Sequence, residues 1–133
     1  MATIRRFEDL DIWQEARRLS CEIYKICSES DLKADFRFRD QIKASSGSVM
    51  DNIAEGFERN GNNEFRQFLS IAKGSAGEAR SQLYRALDFG YIGTEQFECL
   101  KSDYESLSGK ISNFINYLNR QDFRGTKFSN FKP

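Results

Sequence analysis

"SVMDNIAEGFERNGNNEF", Ser48 to Phe65, is the stretch whose reading decides the fold. Its first half continues a helical period, because Val49, Ile53 and Phe57 extend a line through Phe38, Ile42 and Ser45. Its second half breaks that period with Arg59-Asn60-Gly61-Asn62-Asn63, residue types that accept left-handed backbone or cap helices. The apolar period restarts at Phe65. The stretch therefore predicts a helix, a tight turn and the start of a second helix. It also carries Asn52, Glu55 and Gly56 where a plain bundle helix would carry Leu or Lys, which raises the question of a site.

Working outward, the helix before the turn begins near Asp35. The helix after it carries Phe65, Phe68, Leu69, Ala72, Ala76, Ala79, Leu83 and Leu87, and stops at Phe89-Gly90-Tyr91, where Gly90 suits a left-handed C-terminal position. Near the C-terminus Phe97, Leu100, Tyr104, Leu107, Ile111, Phe114 and Leu118 are spaced 3-4-3-4-3-4, with Thr94 expected as N-cap and Glu95 favouring the positive helix end. At the other end Leu10, Trp13, Ala16, Leu19, Ile23 and Ile26 mark a first helix, expected to be begun by Asp9. Its opposite face is charged (Glu15, Arg18, Glu22, Lys25, Glu29).

Connections of roughly four to seven residues make sequential helices antiparallel neighbours. Helices of roughly 22–28 residues would be about 33–42 Å long. The predicted fold is all-α, an up-down-up-down antiparallel four-helix bundle over residues 1–121. Residues 122–133 are expected to form a basic, flexible tail whose Phe123, Phe128 and Phe131 lack a helical period.

The chain has 133 residues, enough for one core, and its sole proline is Pro133, so long helices are unobstructed. Twenty basic and twenty acidic side chains cancel, but residues 120–133 hold four bases against one acid and carry +3, leaving −3 on the first 119. A body of that sign lacks the electrostatic footprint of a nucleic-acid binder. Cys21, Cys27 and Cys99 show no CxxC spacing and read as reduced thiols. With no apolar leader after Met1 and no membrane-length apolar run, a soluble cytoplasmic protein is expected.

On the second helix Gln41, Ser48, Asn52, Glu55 and Arg59 form a polar stripe spaced 7-4-3-4, bordering the apolar seam. Glu64, Ile71, Ser75, Glu78 and Gln82 repeat that spacing on the third. With Gly61 in the turn, antiparallel pairing sets Arg59 near Glu64, Ser48 near Ser75, Gln41 near Gln82, and Glu78 near Ser45 and Gln41. Gly47, Gly56, Gly74 and Gly77 stand inside these helices, each at about 1 kcal/mol relative to alanine. Close approach of two backbones is the expected reason. Glu55, Glu64 and Glu78 supply carboxylates, but the chain has no histidine, the commonest bundle metal partner and general base. The region around Gly61 lacks the lysine and strand context of a phosphate loop. No catalytic residue, metal, cofactor or small-molecule substrate is inferred. A mutually hydrogen-bonded network remains, either inside one bundle or between subunits.

These residues also carry a resemblance. "FEDLDIWQEARRLSCEIY" (7–24), "QIKASSGSVMDNIAEGFER" (41–59), "NEFRQFLSIAKGSAGEARSQLYRA" (63–86) and "GYI" (90–92) resemble the four-helix bundle proteins of the 23S rRNA intervening-sequence family, over about residues 7–118. The specific part is Asn52-Ile53-Ala54-Glu55-Gly56, then Glu64-Phe65, then Gly74-Ser75 with Glu78. The resemblance implies a bacterial cytosolic bundle that forms a homo-oligomer, with a pentameric ring as the family's pattern. Similar folds act as basic accessory proteins of diversity-generating retroelements. Two features depart from these relatives: Met50 and Asp51 stand where many members have proline, and the body here is slightly acidic.

The first functional expectation is therefore a non-catalytic oligomeric scaffold or adaptor. The alternative is an RNA- or nucleoprotein-binding module using Arg5, Arg6, Arg17, Arg18, Lys43, Arg59, Arg66, Lys73, Arg80 and Arg85 with the basic tail. An enzyme ranks third.

Overall fold

In a computed structural model that describes residues 4–120, the four apolar periods become four helices: α1 (Asp11–Glu29), α2 (Phe36–Glu58), α3 (Asn62–Asp88) and α4 (Thr94–Asn119). Short 3-10 turns at Phe7–Asp9 and Asp31–Ala34 precede α1 and α2. Cross-helix contacts run in opposite numerical directions, as antiparallel packing requires. Ser45 meets Gln82 and Ser48 meets Ser75 across α2–α3. Asp11 meets Lys110 and Arg18 meets Asp103 across α1–α4. The helices close into an all-α four-helix bundle with α2–α3 as its most extensive seam and α1–α4 as its least. The expected domain boundary at 121/122 and the basic tail lie outside the described residues.

The core follows the predicted lines, but at the start of α1 Ile12 is buried and the expected Trp13 is only partly buried against the core. All seven apolar positions of α4, Phe97 to Leu118 at 3-4 spacing, are buried. They face Ile12, Ala16, Leu19, Ile23 and Ile26 of α1 and the apolar lines of α2 and α3. Each buried aliphatic side chain contributes about 1.5–3 kcal/mol of transfer free energy, so the interlocked lines supply most of what holds the bundle. No helix of the described residues is long and apolar enough to cross a membrane.

Two helix starts differ from expectation. Asp9 closes the first 3-10 turn, its N–H donating to Arg6 O at 3.1 Å, and α1 begins after buried, extended Leu10. Thr94 is the first residue of α4, with extended Gly93 as N-cap. In both cases an adjacent apolar side chain sinks into the core, Leu10 or Ile92, and that burial sets the boundary in place of a capping hydroxyl or carboxylate. Asp35 does cap α2, accepting from the Phe38 N–H at 3.3 Å. The same carboxylate accepts from the Tyr91 hydroxyl at 2.6 Å, joining the start of α2 to the α3–α4 connection. That bond, first among the causes, raises the Tyr91 pKa above its ordinary value.

The end of α3 is a paired C-terminal cap. Gly90 sits at φ 79°, Gly90 N–H donates to Leu87 O at 3.0 Å, and Tyr91 N–H donates to Ala86 O at 2.9 Å. Left-handed backbone costs a side-chain-bearing residue about 1–2 kcal/mol. Gly90→Ala is therefore expected to destabilise the protein by about that amount in urea unfolding. Gly93→Ala, at φ −85° with open space around its Cβ, should lose well under half as much.

Candidate interaction surface

The polar stripes of α2 and α3 meet as their spacing predicts. Ser48 Oγ and Ser75 Oγ are 2.9 Å apart, and Asn52 Nδ2 donates at 2.8 Å to both Ser48 Oγ and Ser48 O. Ser45 Oγ donates to Gln82 Oε1 at 2.5 Å, with both residues buried, and Gln82 Nε2 reaches Glu78 Oε2 at 3.5 Å. Gln41 accepts from Arg85 Nη2 at 3.3 Å. The result is a row of satisfied polar groups whose inner members are internal to one chain and whose outer members (Gln41, Glu55, Glu78) face outward. A shallow groove of about 310 Å³, lined by Gln41, Ala44, Ser45, Ser48, Ser75 and Glu78, opens above it.

Two expected pairs do not form as drawn. Gln82 bonds Ser45 while Gln41 accepts from Arg85, one turn further along α3. Arg59 turns back along its own helix to Glu55, Nη2 to Oε1 at 3.3 Å, and its guanidinium lies 5.3 Å from the Phe68 ring centroid. Glu64, at the third position of α3, folds over its N-cap Gly61, where a Cβ would lie 2.2 Å from Oε2. The cause is the turn itself: Asn60 at φ 68° and extended Gly61 start α3 with Glu64 aimed at the cap.

The glycines divide. A Cβ on Gly56 would meet Phe68 Cβ at 2.5 Å and Phe65 Cδ1 at 3.0 Å, so there the close approach is real. At Gly47, Gly74 and Gly77 a Cβ would meet nothing within 4 Å. The expectation that all four serve close packing within the bundle is corrected for these three. They face open space, with Ile71, 52% exposed, one helical turn from Gly74.

The carboxylates Glu55, Glu64 and Glu78 are spread along the α2–α3 seam, each already engaged as described. Among the described residues no group of three or more His, Cys, Asp or Glu side chains could hold a metal ion. A larger groove, about 740 Å³, lies between α1 and the first turns of α4, bordered by Arg18, Glu22, Glu95, Cys99 and Asp103. Its one arginine is committed: Arg18 binds Glu15 and Asp103, the latter at 2.9 Å, and these bonds, Glu15 first, raise its pKa.

The ten candidate cations are not gathered into one patch. Arg5, Arg6, Arg59 and Arg66 belong to the end of the bundle that holds the α2–α3 turn, where Arg6 pairs with Asp9 at 3.5 Å and Arg66 binds Asn119 and Asn63. Lys43 and Arg85 belong to the opposite half. Arg80 lies 4.0 Å from Glu105, and Lys73 is exposed midway along α3. Arg85 stacks on Phe38 at 4.4 Å. Sequence reasoning missed the exposed rings Tyr24, Phe36 and Phe89. The signal was present, because Tyr24 and Phe36 fall off the apolar lines of their own helices.

The family model described as "23S rRNA-intervening sequence protein" matches residues 8–113. Comparison with curated proteins gives no match. Among solved structures, a protein of unknown function from the S23 ribosomal protein family of Bacteroides thetaiotaomicron superimposes with a TM-score of 0.71 at 24% identity. The alignment covers 78% of this chain and 97% of that one. At that identity the likeness speaks for the fold.

The buried Ser45–Gln82 bond generates a test of the seam. Removing Ser45 leaves Gln82 Oε1 unsatisfied, at about 1–3 kcal/mol, whereas removing Gln82 leaves the Ser45 hydroxyl its alternative acceptor, Ile42 O at 3.2 Å. Ser45→Ala is therefore expected to destabilise by that amount and Gln82→Ala by less through this bond. The double variant should lose clearly less than the sum, read as a coupling energy in a double-mutant cycle of denaturant midpoints.

Proposed function

Because the chain belongs to the 23S rRNA-intervening sequence protein family, and because its outer α2–α3 face is left open, we propose a non-catalytic protein that assembles with copies of itself. In this reading it serves as a scaffold or adaptor in the cytoplasm. The observation that carries the reading is the open surroundings of Gly74 and Gly77 on α3. Each lowers helix stability by about 1 kcal/mol relative to alanine, and nothing among the described residues fills the space it clears. Helices of a second copy can approach closely over such a surface, with Ile71 as an apolar anchor and Glu78, Glu55 and Gln41 as a polar rim. The family resemblance favours five copies in a ring. Free Cys21, Cys27 and Cys99 fit a reducing compartment.

A second reading, an RNA- or nucleoprotein-binding module, is favoured by the family's description. As a single site built from all ten candidate cations it has no support in their placement. It needs a narrower surface.

Light scattering at micromolar concentration tests the first reading. The expected mass is a multiple of 15.4 kDa, with five-fold favoured. Ile71→Glu should shift the protein to smaller species while leaving its circular dichroism unchanged. A strict monomer at that concentration would refute self-assembly.

A further inference from the structure

Three cation–aromatic pairs lie along the seam between α1 and α2. The Arg17 guanidinium is 5.6 Å from the Trp13 ring centroid, the Lys43 ammonium 5.2 Å from Tyr24, and the Arg39 guanidinium 4.8 Å from Phe36. The residues belong to two facing stripes at helical spacing. On α1 these are Trp13, Arg17, Ser20, Tyr24 and Ser28; on α2 they are Phe36, Arg39, Lys43, Gly47 and Met50. In a chain with as many acids as bases, neither stripe contains an acid. Asp40, beside the α2 stripe, pairs with Arg39 at 3.3 Å. Arg17 and Lys43 take part in no ion pair among the described residues.

The rings are as unusual as the charges. Phe36 and Tyr24 are 64% and 60% exposed, the two most exposed large apolar side chains of the described residues. In each, a cation covers one part of the ring and the remainder stays open. Arg17 lies seven residues from Tyr24 on α1, and Phe36 lies seven from Lys43 on α2, each about 10 Å along the axis. Because Tyr24 and Lys43 touch across the helices, these intervals follow one another. Charges and open rings therefore form a straight track about 20 Å long.

We propose that this α1–α2 seam binds single-stranded nucleic acid. Bases stack on Tyr24 and Phe36, while phosphates lie against Arg17, Lys43 and Arg39. Charge complementarity selects this occupant: a polyanion meets three cations and no acid on the two stripes, and unpaired bases supply flat faces for exposed rings. A protein partner of mixed charge would find a single carboxylate here, Asp40, already paired with Arg39. The inference rests on the second, nucleic-acid-binding reading above and is independent of self-assembly. It is compatible with the body's negative net charge, since neither stripe itself carries an acid.

Fluorescence anisotropy on the full-length chain tests the proposal. The probe is a labelled single-stranded RNA of about twelve nucleotides, compared with the same sequence as DNA and as a duplex. Binding is expected for both single strands and weaker for the duplex, and the RNA-to-DNA ratio identifies the preferred source. With three phosphate contacts, the slope of log affinity against log salt should be about −2, and Arg17→Gln with Lys43→Gln should bring it below about −1 in magnitude. Tyr24→Ala and Phe36→Ala should each weaken binding about five-fold or more. Both rings are exposed, so the unfolding temperature should be unchanged, which separates lost binding from lost fold. Arg124→Gln, Lys127→Gln and Lys132→Gln together control for the basic tail, and the ring effects should persist in that background. No binding at low salt, binding indifferent to both rings, or complete loss in the tail variant would overturn the proposal. Mass measured on the same samples reports self-assembly separately.

Discussion

Gly56 lets Phe68 rest against the backbone of α2, and the α2–α3 seam depends on that contact. With no side chain at this point, Phe65 and Phe68 settle close to α2 at the turn end, and the helices continue together through Ser48–Ser75 and Ser45–Gln82. The polar bonds are short and partly or wholly buried, so a slip along either helix would leave donors and acceptors unmatched in a low-dielectric setting. Apolar packing attracts the two helices; the bonds choose the register. The other two helices lay their apolar lines into the groove that α2 and α3 define.

Much of this was legible in the residues. The 3-4 spacing from Phe97 to Leu118 named every buried position of α4, and the spacing of the two polar stripes placed Ser48 against Ser75 before any geometry was available. Boundaries were harder to read. Asp9 and Thr94 have the chemistry of caps, yet burial of Leu10 and Ile92 determines where α1 and α4 begin. A cap contributes about 1 kcal/mol and a buried leucine more, so the larger effect wins. Arg59 and Glu64 are close in sequence across a turn, but the left-handed Asn60 turns each toward its own helix.

The candidate surfaces were less legible, for a physical reason. Periodicity reports which residues face a core, and says little about what an exposed residue faces. Glycine in a helix gives the same signal whether it admits Phe68, as at Gly56, or opens onto solvent, as at Gly74. Tyr24 and Phe36 are single apolar residues off an apolar line, a common occurrence that carries weight only when Lys43 and Arg39 are seen above them. The structure thus separates two faces of α2, one carrying cations and open rings toward α1 and one cleared by small residues toward α3.

That separation turns on glycine, and two substitutions in one experiment examine it. Gly56→Ala and Gly74→Ala make the same chemical change in two long helices, and their unfolding free energies are to be compared at protein concentrations low enough to dissociate any assembly. If Gly56 alone serves packing within the chain, its replacement destabilises by at least about 1 kcal/mol through overpacking against Phe68. Gly74→Ala should then stabilise the single chain by up to about 1 kcal/mol, as alanine does in an unobstructed helix. Equal destabilisation at both positions would contradict the division of the bundle into an internal seam and an outward-facing surface.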